Sequence, residues 1–207
     1  GLIDPFLSGN VQSCAGPSEF SNLTHLFVTH GHGDHLGDTV KLGLENGATA
    51  VANAEICRYL SGKGLRTYPM YVGGWVSFPF GRVRFTPAVH GSWITEGKDT
   101  FYGGLAVGMV LEVGNFRIYH AGDTGLTTDM SLLEALKIDL ALVPIGGRYV
   151  MDTEDALRAV EMIRPKRVVP MHFNTFPGIE ADPGAFLAAL PGWVQGLRLE
   201  PGETIEF

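Results

Sequence analysis

Apolar residues fall in short runs bounded by glycine, proline and polar positions, and the length and spacing of those runs predict the elements. Leu23–Val28 reads as a buried strand that runs into a polar, histidine-rich stretch. Asp34–Glu45 follows as a helix with Asp34 at its N-cap, then a short strand over Ala48–Ala52 and a helix over Ala54–Leu60. From Trp75 to Gly122 the runs become β-type. Strands are predicted at Trp75–Phe80, Val83–Pro87, Leu105–Val113 and Phe116–His120, with hairpin turns at Gly81 and Gly114-Asn115. The second half alternates. Helices are predicted at Met130–Lys137, Glu154–Ile163 and Gly184–Leu190. Strands are predicted at Leu140–Val143, Val168–Met171, Val194–Leu199 and Thr204–Phe207. This is neither a simple barrel nor a clean βαβ repeat; it predicts an α+β class, with sheets packed together and helices outside. No linker interrupts the pattern and no repeat recurs at about 20–50 residues, so residues 1–207 are expected to form a single domain.

Composition narrows the setting. A chain of 207 residues buries roughly 70% of its unfolded surface and needs no staples. The formal net charge of −7 argues against a nucleic-acid partner, because such proteins leave a basic footprint. The densest basic cluster, Arg164, Lys166 and Arg167, reads as a solvated helix-to-strand turn. No apolar run approaches the ~18 residues of a membrane span, and the opening Gly1-Leu2-Ile3-Asp4-Pro5 lacks a secretory pattern. Cys14 and Cys57, the two cysteines, form neither a CxxC motif nor a disulfide framework. A cytoplasmic location is expected.

The chemistry is concentrated in His30-Gly31-His32-Gly33-Asp34-His35, where three imidazoles and one carboxylate occupy six residues. That is too compact for one tetrahedral site to use every donor, so the spacing suggests ligands shared between two adjacent ions. Further donors follow predicted strands: His90 after Val83–Val89, Asp123 after Phe116–Gly122, and His172 after Arg167–Met171. Strand-end residues project into loops at a sheet edge, where sites are commonly built.

In this order, the His-x-His-x-Asp-His motif, the distant His90, the Gly122-Asp123-Thr124 word and the late His172 resemble the metallo-β-lactamase superfamily. Five flanking segments are similar to its metal-dependent hydrolase branch, related to the ascorbate-6-phosphate lactonases: Leu2–Asn10, Thr29–Asp38, His120–Gly125, Pro144–Gly147 and Met171–Pro177. The resemblance implies a four-layer αββα sandwich with the site along one edge of the paired sheets. Family members usually carry two further strands before the Ile-Asp-Pro segment, so an N-terminal piece is expected to be missing.

The resemblance assigns His30, His32 and His90 to one metal ion and Asp34, His35 and His172 to a second, with Asp123 bridging. It implies a hydrolase in which a hydroxide held between two ions attacks a small ester, lactone or phosphoester. Asp34 would orient the nucleophile and take its proton, and Asp123 would offset the charge of the ions. A mixed nitrogen and oxygen set admits zinc, manganese or iron; zinc is favoured. Ser92, Arg148 and Asn174 lie on loops after His90, Gly146-Gly147 and His172, where substrate contact is open to them, and Arg148 suits an anionic group. His120 is expected inside its strand, hydrogen-bonding a ligand at most, and His25 is expected to be structural. The alternative activity is an iron-dependent oxidoreductase or sulfur dioxygenase on the same scaffold. Diiron members tend to replace the second histidine of the motif with Glu, and His32 is intact. The expected partner is a small molecule, without nucleic acid or membrane; the oligomeric state stays open.

Overall fold

The computed structural model describes residues 1–206. In chain order its strands and α-helices are β1 (Leu2–Ile3), β2 (His25–Phe27), α1 (Gly33–Leu36), α2 (Thr39–Asn46), β3 (Thr49–Ala52), α3 (Ala54–Gly62), β4 (Arg66–Pro69), β5 (Val76–Phe78), β6 (Gly81–Pro87), β7 (Trp93–Glu96), β8 (Asp99–Tyr102), β9 (Val107–Val113), β10 (Phe116–His120), β11 (Leu140–Pro144), α4 (Thr153–Ile163), β12 (Arg167–Met171), α5 (Pro183–Ala188) and β13 (Gln195–Gly196). They group into two compact units. The first comprises Gly1–Tyr71, Gly91–Ala106 and the residues from Pro201 on; the second comprises Val72–His90 and Val107–Glu200.

The first unit is built on a parallel sheet in the order β1-β2-β3-β4. Apolar side chains of β2, β3 and Val28 just after β2 meet the helices: Val28, Ala50 and Ala52 pack with Ile56, Cys57 and Leu60 of α3, while Leu26 packs with Leu42 of α2. Asn53 caps α3, its Oδ1 accepting from Ile56 N–H at 2.9 Å. The same side chain donates to the carbonyls of Gly103 and Leu105 at 2.7 and 2.9 Å, which fastens the β7–β8 hairpin to this helix. Ile94 of β7 is 1% exposed and joins the same core.

The helix predicted over Asp34–Glu45 is two helices, and the break has a physical cause. Gly37 adopts φ 41°, and a Cβ there would lie 2.4 Å from the carbonyl oxygen of Pro5. Asp38 then donates its N–H to Pro5, while its carboxylate accepts from the N–H groups of Leu7 and Ser8. A loop from the chain start is stitched into the gap, and α1 begins after His32 rather than after an Asp34 cap.

The second unit carries a seven-stranded mixed sheet in the order β13-β12-β11-β10-β9-β6-β5. Strands β10 to β13 pair in parallel, and β10, β9, β6 and β5 pair antiparallel. Its core joins Val110, Tyr119, Ala141 and Val143 of the sheet to Ala156, Ala159, Val160 and Ile163 of α4. Asp152 caps α4 by accepting from Asp155 N–H at 2.9 Å. The helix expected over Met130–Lys137 is a 3-10 helix over Thr128–Leu136. Its buried Met130 and Leu133 recur at a spacing of three, the period at which side chains eclipse in a 3-10 turn.

Two strand predictions contract. Val194–Leu199 keeps only Gln195–Gly196, and residues 204–206 are irregular, with Phe207 outside the described residues. Four strands escaped the sequence reading, the first of them the two-residue β1. β4 is an edge strand ending in Pro69, and β7 and β8 bury one side chain between them. None offers the alternation by which a half-buried strand is recognised. No helix among the described residues is long and apolar enough to cross a membrane.

Candidate metal centre

In the first unit, β2 delivers a buried turn: Thr29 and His30 have no exposed surface. Gly31 permits the close approach that follows, since a Cβ there would lie 2.8 Å from Ile94 Cγ1 and 3.0 Å from the Trp93 backbone. Ser92 pins this contact, its hydroxyl accepting from Gly31 N–H at 3.1 Å and donating to the Gly103 carbonyl at 2.9 Å. Helix α1 then presents Asp34 and His35. His30 Nε2 lies 3.0 Å from His32 Nδ1, and the His30 and His35 rings stand 4.0 Å apart. His35 Nε2 is 3.5 Å from Asp34 Oδ2. All four donors of the motif therefore gather at one place.

Asp4 organises them. Its side chain is 8% exposed. Oδ1 accepts from Thr29 N–H at 2.8 Å, and Oδ2 accepts from the Thr29 hydroxyl at 2.6 Å and from His35 Nδ1 at 2.8 Å. The Thr29 hydroxyl has one proton and gives it to Asp4, so toward His30 Nδ1, 3.0 Å away, its oxygen can only accept. Both His30 and His35 thus carry their proton on Nδ1 and keep Nε2 as a lone-pair donor, the tautomer that a metal ligand requires. Asp4, His30 and His35 offer atoms within 4.8 Å of one another, but the oxygens of Asp4 are engaged by Thr29 and His35, which makes it an orienting carboxylate.

The second unit holds the other three donors. His90 follows β6, Asp123 follows β10 and His172 follows β12. Asp123 is 3% exposed. His90 Nε2 and His172 Nε2 approach its Oδ2 at 3.5 and 3.1 Å. Thr124 laces this corner: its hydroxyl accepts from Val89 N–H at 2.9 Å and donates to the Gly125 carbonyl at 2.7 Å, and Gly125 N–H donates to the Val89 carbonyl. His120 supports the same turn by accepting at Nδ1 from Gly122 N–H at 3.1 Å. His172 adopts φ 54°, unusual for a residue with a side chain. Such backbone persists where surrounding structure over-determines it, often at functional sites. Here Gly146 contributes, since a Cβ there would lie 2.4 Å from the His172 carbonyl oxygen.

These donor sets, imidazole nitrogens with carboxylate oxygens, suit a divalent transition metal. Three other residues expected near the site have defined surroundings. Ser92 is buried and its hydroxyl serves the backbone, as described. Asn174 closes the loop after His172, exchanging side-chain hydrogen bonds with Ala181 N–H and carbonyl at 2.9 and 3.0 Å. Arg148 is exposed, its guanidinium 5.0 Å from the Tyr149 ring centroid. His25 lies in β2, 3.0 Å from the Thr24 hydroxyl, and stacks on Phe27. The sequence reading gave no role to Asp4, Thr29, Thr124 or Trp93. For Asp4 one signal existed: a carboxylate between an apolar pair and a proline.

Comparison with known proteins identifies the family. Residues 2–173 match the family model of the beta-lactamase superfamily domain, a span that contains all seven expected ligands. Among curated relatives, the UPF0173 metal-dependent hydrolase YtkL of Bacillus subtilis is 47% identical, covering 100% of this chain and 91% of the relative. This chain is a UPF0173 metal-dependent hydrolase of the metallo-β-lactamase superfamily. A UPF0173 hydrolase of Alkaliphilus metalliredigens is 48% identical over 89% of this chain and 82% of its own length. Among solved structures, Igni18, a metallo hydrolase of the hyperthermophilic archaeon Ignicoccus hospitalis, superposes with a TM-score of 0.90. It is 35% identical, covering 100% of this chain and 91% of that one. The UPF0173 hydrolase is thus an α+β protein of the metallo-β-lactamase fold.

Proposed function

We propose that the seven donors form one dinuclear centre that hydrolyses a small ester, lactone or phosphoester, with residues 1–207 acting as one domain. His30, His32 and His90 would hold one ion, Asp34, His35 and His172 would hold the other, and Asp123 would serve both. The observation that carries this reading is the Asp123 corner. His90 and His172, assigned to different ions, approach the same carboxylate oxygen at 3.5 and 3.1 Å, as a shared ligand requires. The tautomers fixed by Asp4 and Thr29 add support, because they leave Nε2 of both His30 and His35 as donors.

When bound, two divalent ions, zinc in the first instance, polarise the substrate's carbonyl or phosphoryl oxygen and lower the pKa of water toward ~7. The chain supplies the rest. Asp34 orients the attacking water and takes its proton. Asp123 offsets the positive charge that two ions bring to one site. Asp4 and Thr29 hold the rings still while charge develops.

The test combines elemental analysis with a hydrolase screen over lactones, phosphodiesters and thioesters. Two equivalents of metal per chain are expected. Asp34→Asn should lower turnover at least ~100-fold, the scale of a lost general base. Asp123→Asn should abolish activity and release part of the metal. Full activity without stoichiometric metal would overturn the proposal, as would stoichiometric iron with oxygen consumption.

A further inference from the structure

The β7–β8 hairpin has two faces of opposite character. Ile94 pairs with Phe101 across its ladder, and Trp93 pairs with Tyr102. Side chains alternate along a strand and directly opposed residues share a face, so Ile94 and Phe101 lie on one side and Trp93 and Tyr102 on the other. The first pair anchors the hairpin. Ile94 is buried beneath Gly31, and the Phe101 ring lies 5.6 Å from that of Tyr59. The second pair anchors nothing comparable: Trp93 is 51% exposed and Tyr102 is 70% exposed.

Position gives that outer pair a meaning. The Trp93 indole meets the His32 ring edge-on, with centroids 4.2 Å apart and an interplanar angle of 64°. Gly91 leaves room for it, since a Cβ there would lie 2.7 Å from the indole. The ionic groups of the hairpin sit at its tip, where Glu96 already pairs with Lys63. A half-exposed indole beside an expected metal ligand, with the exposed Tyr102 opposite it on the same hairpin face, is neither core nor ordinary surface; exposed apolar area of this kind marks a binding site.

We propose that Trp93 and Tyr102 form the substrate-binding wall of the metal centre, selecting carboxylic esters that carry a flat, uncharged aryl or unsaturated ring close to the reacting carbon. The proposal rests on the dinuclear reading above and narrows its substrate class. Stacking of a ring on the indole favours aryl substrates, because aromatic pairs gain energy beyond the area they bury. A compact alkyl ester leaves the wall wet.

The experiment titrates benzoate and acetate, as product-like probes, into the zinc-loaded full chain by calorimetry, with metal content measured on each sample. Wild type is expected to bind benzoate at least tenfold more tightly than acetate. Trp93→Ala should lose that preference while keeping its zinc and its acetate affinity. Trp93→Phe should keep most of it, and Tyr102→Ala should lose a smaller part. Equal affinities in wild type, or an undiminished preference in Trp93→Ala, would overturn the proposal and leave the dinuclear reading standing. Loss of zinc together with the preference in Trp93→Ala would also overturn it, by showing that the indole holds His32 rather than substrate. A wild type that binds no zinc would overturn both.

Discussion

Asp4 carries more of the candidate metal centre than any one expected ligand, because His35 directly and His30 through Thr29 both take their orientation from it. It accepts three hydrogen bonds with two oxygens, and its backbone sits at φ 47°. Asn tolerates that backbone conformation and preserves the side-chain shape. It keeps one acceptor oxygen and replaces the other with a donor, which would face either the Thr29 N–H or both the Thr29 hydroxyl and His35 Nδ1–H. Asp4→Asn is therefore expected to weaken zinc binding ~10–100-fold, the usual range for a lost partner of a ligand histidine. Competition with a chelator would measure it, and unchanged affinity would show that His35 needs no anchor. The seven candidate donors are legible in the sequence because donor type and spacing are local properties. Asp4 is not, since its partner His35 lies 31 positions away and only the fold brings them to 2.8 Å.

At the scale of elements, two contacts hold pieces in place and each can be tested. Gly31 lets the ligand turn lie against β7. Gly31→Ala should cost ~1–3 kcal/mol, as overpacking does, and chemical denaturation would read it. Stability equal to wild type would show that the hairpin yields without strain. In the second unit, Glu112 of β9 binds Arg82 of β6 through both oxygens, at 2.6 and 3.0 Å, and Arg117 of β10 at 2.6 Å. Hydrogen bonds from these two guanidiniums pull its carboxyl from 4.5 down to about 2. A carboxylate with a depressed folded-state pKa stabilises the fold above its unfolded value and loses that contribution as pH falls through the folded one. Glu112→Gln should therefore melt at a lower temperature than wild type near neutrality, and the gap should close between pH 4.5 and about 2. A gap independent of pH would show that the triad contributes shape and not charge. Strands with clear alternation, such as β6 and β10, are readable from sequence; β7 and β8 are not, because their single buried side chain leaves no period to detect.

For the molecule as a whole, the expected ligands are drawn from positions between His30 and His172, so metal binding is linked to folding. Bound zinc at ~100 times its dissociation constant adds ~2.7 kcal/mol to a native state that alone binds it. The melting temperature should rise on zinc loading and fall on chelation, which calorimetry would follow. A transition indifferent to both would mean that the donors do not hold metal in the folded protein.

By itself the sequence determined the α+β class, the metal chemistry and the family. These follow from local periodicity, from donor residues at strand ends, and from a six-residue motif that no other chemistry explains as well. The tertiary structure decided what depends on distant segments meeting. It broke one predicted helix where Gly37 passes the Pro5 carbonyl. It set the proton positions of His30 and His35 through Asp4, and put the Ser92 hydroxyl to work on the backbone. It also left Trp93 and Tyr102 exposed beside His32. Periodicity is written in neighbouring residues, whereas a hydrogen bond near 3 Å between residues tens of positions apart exists only once the chain has folded.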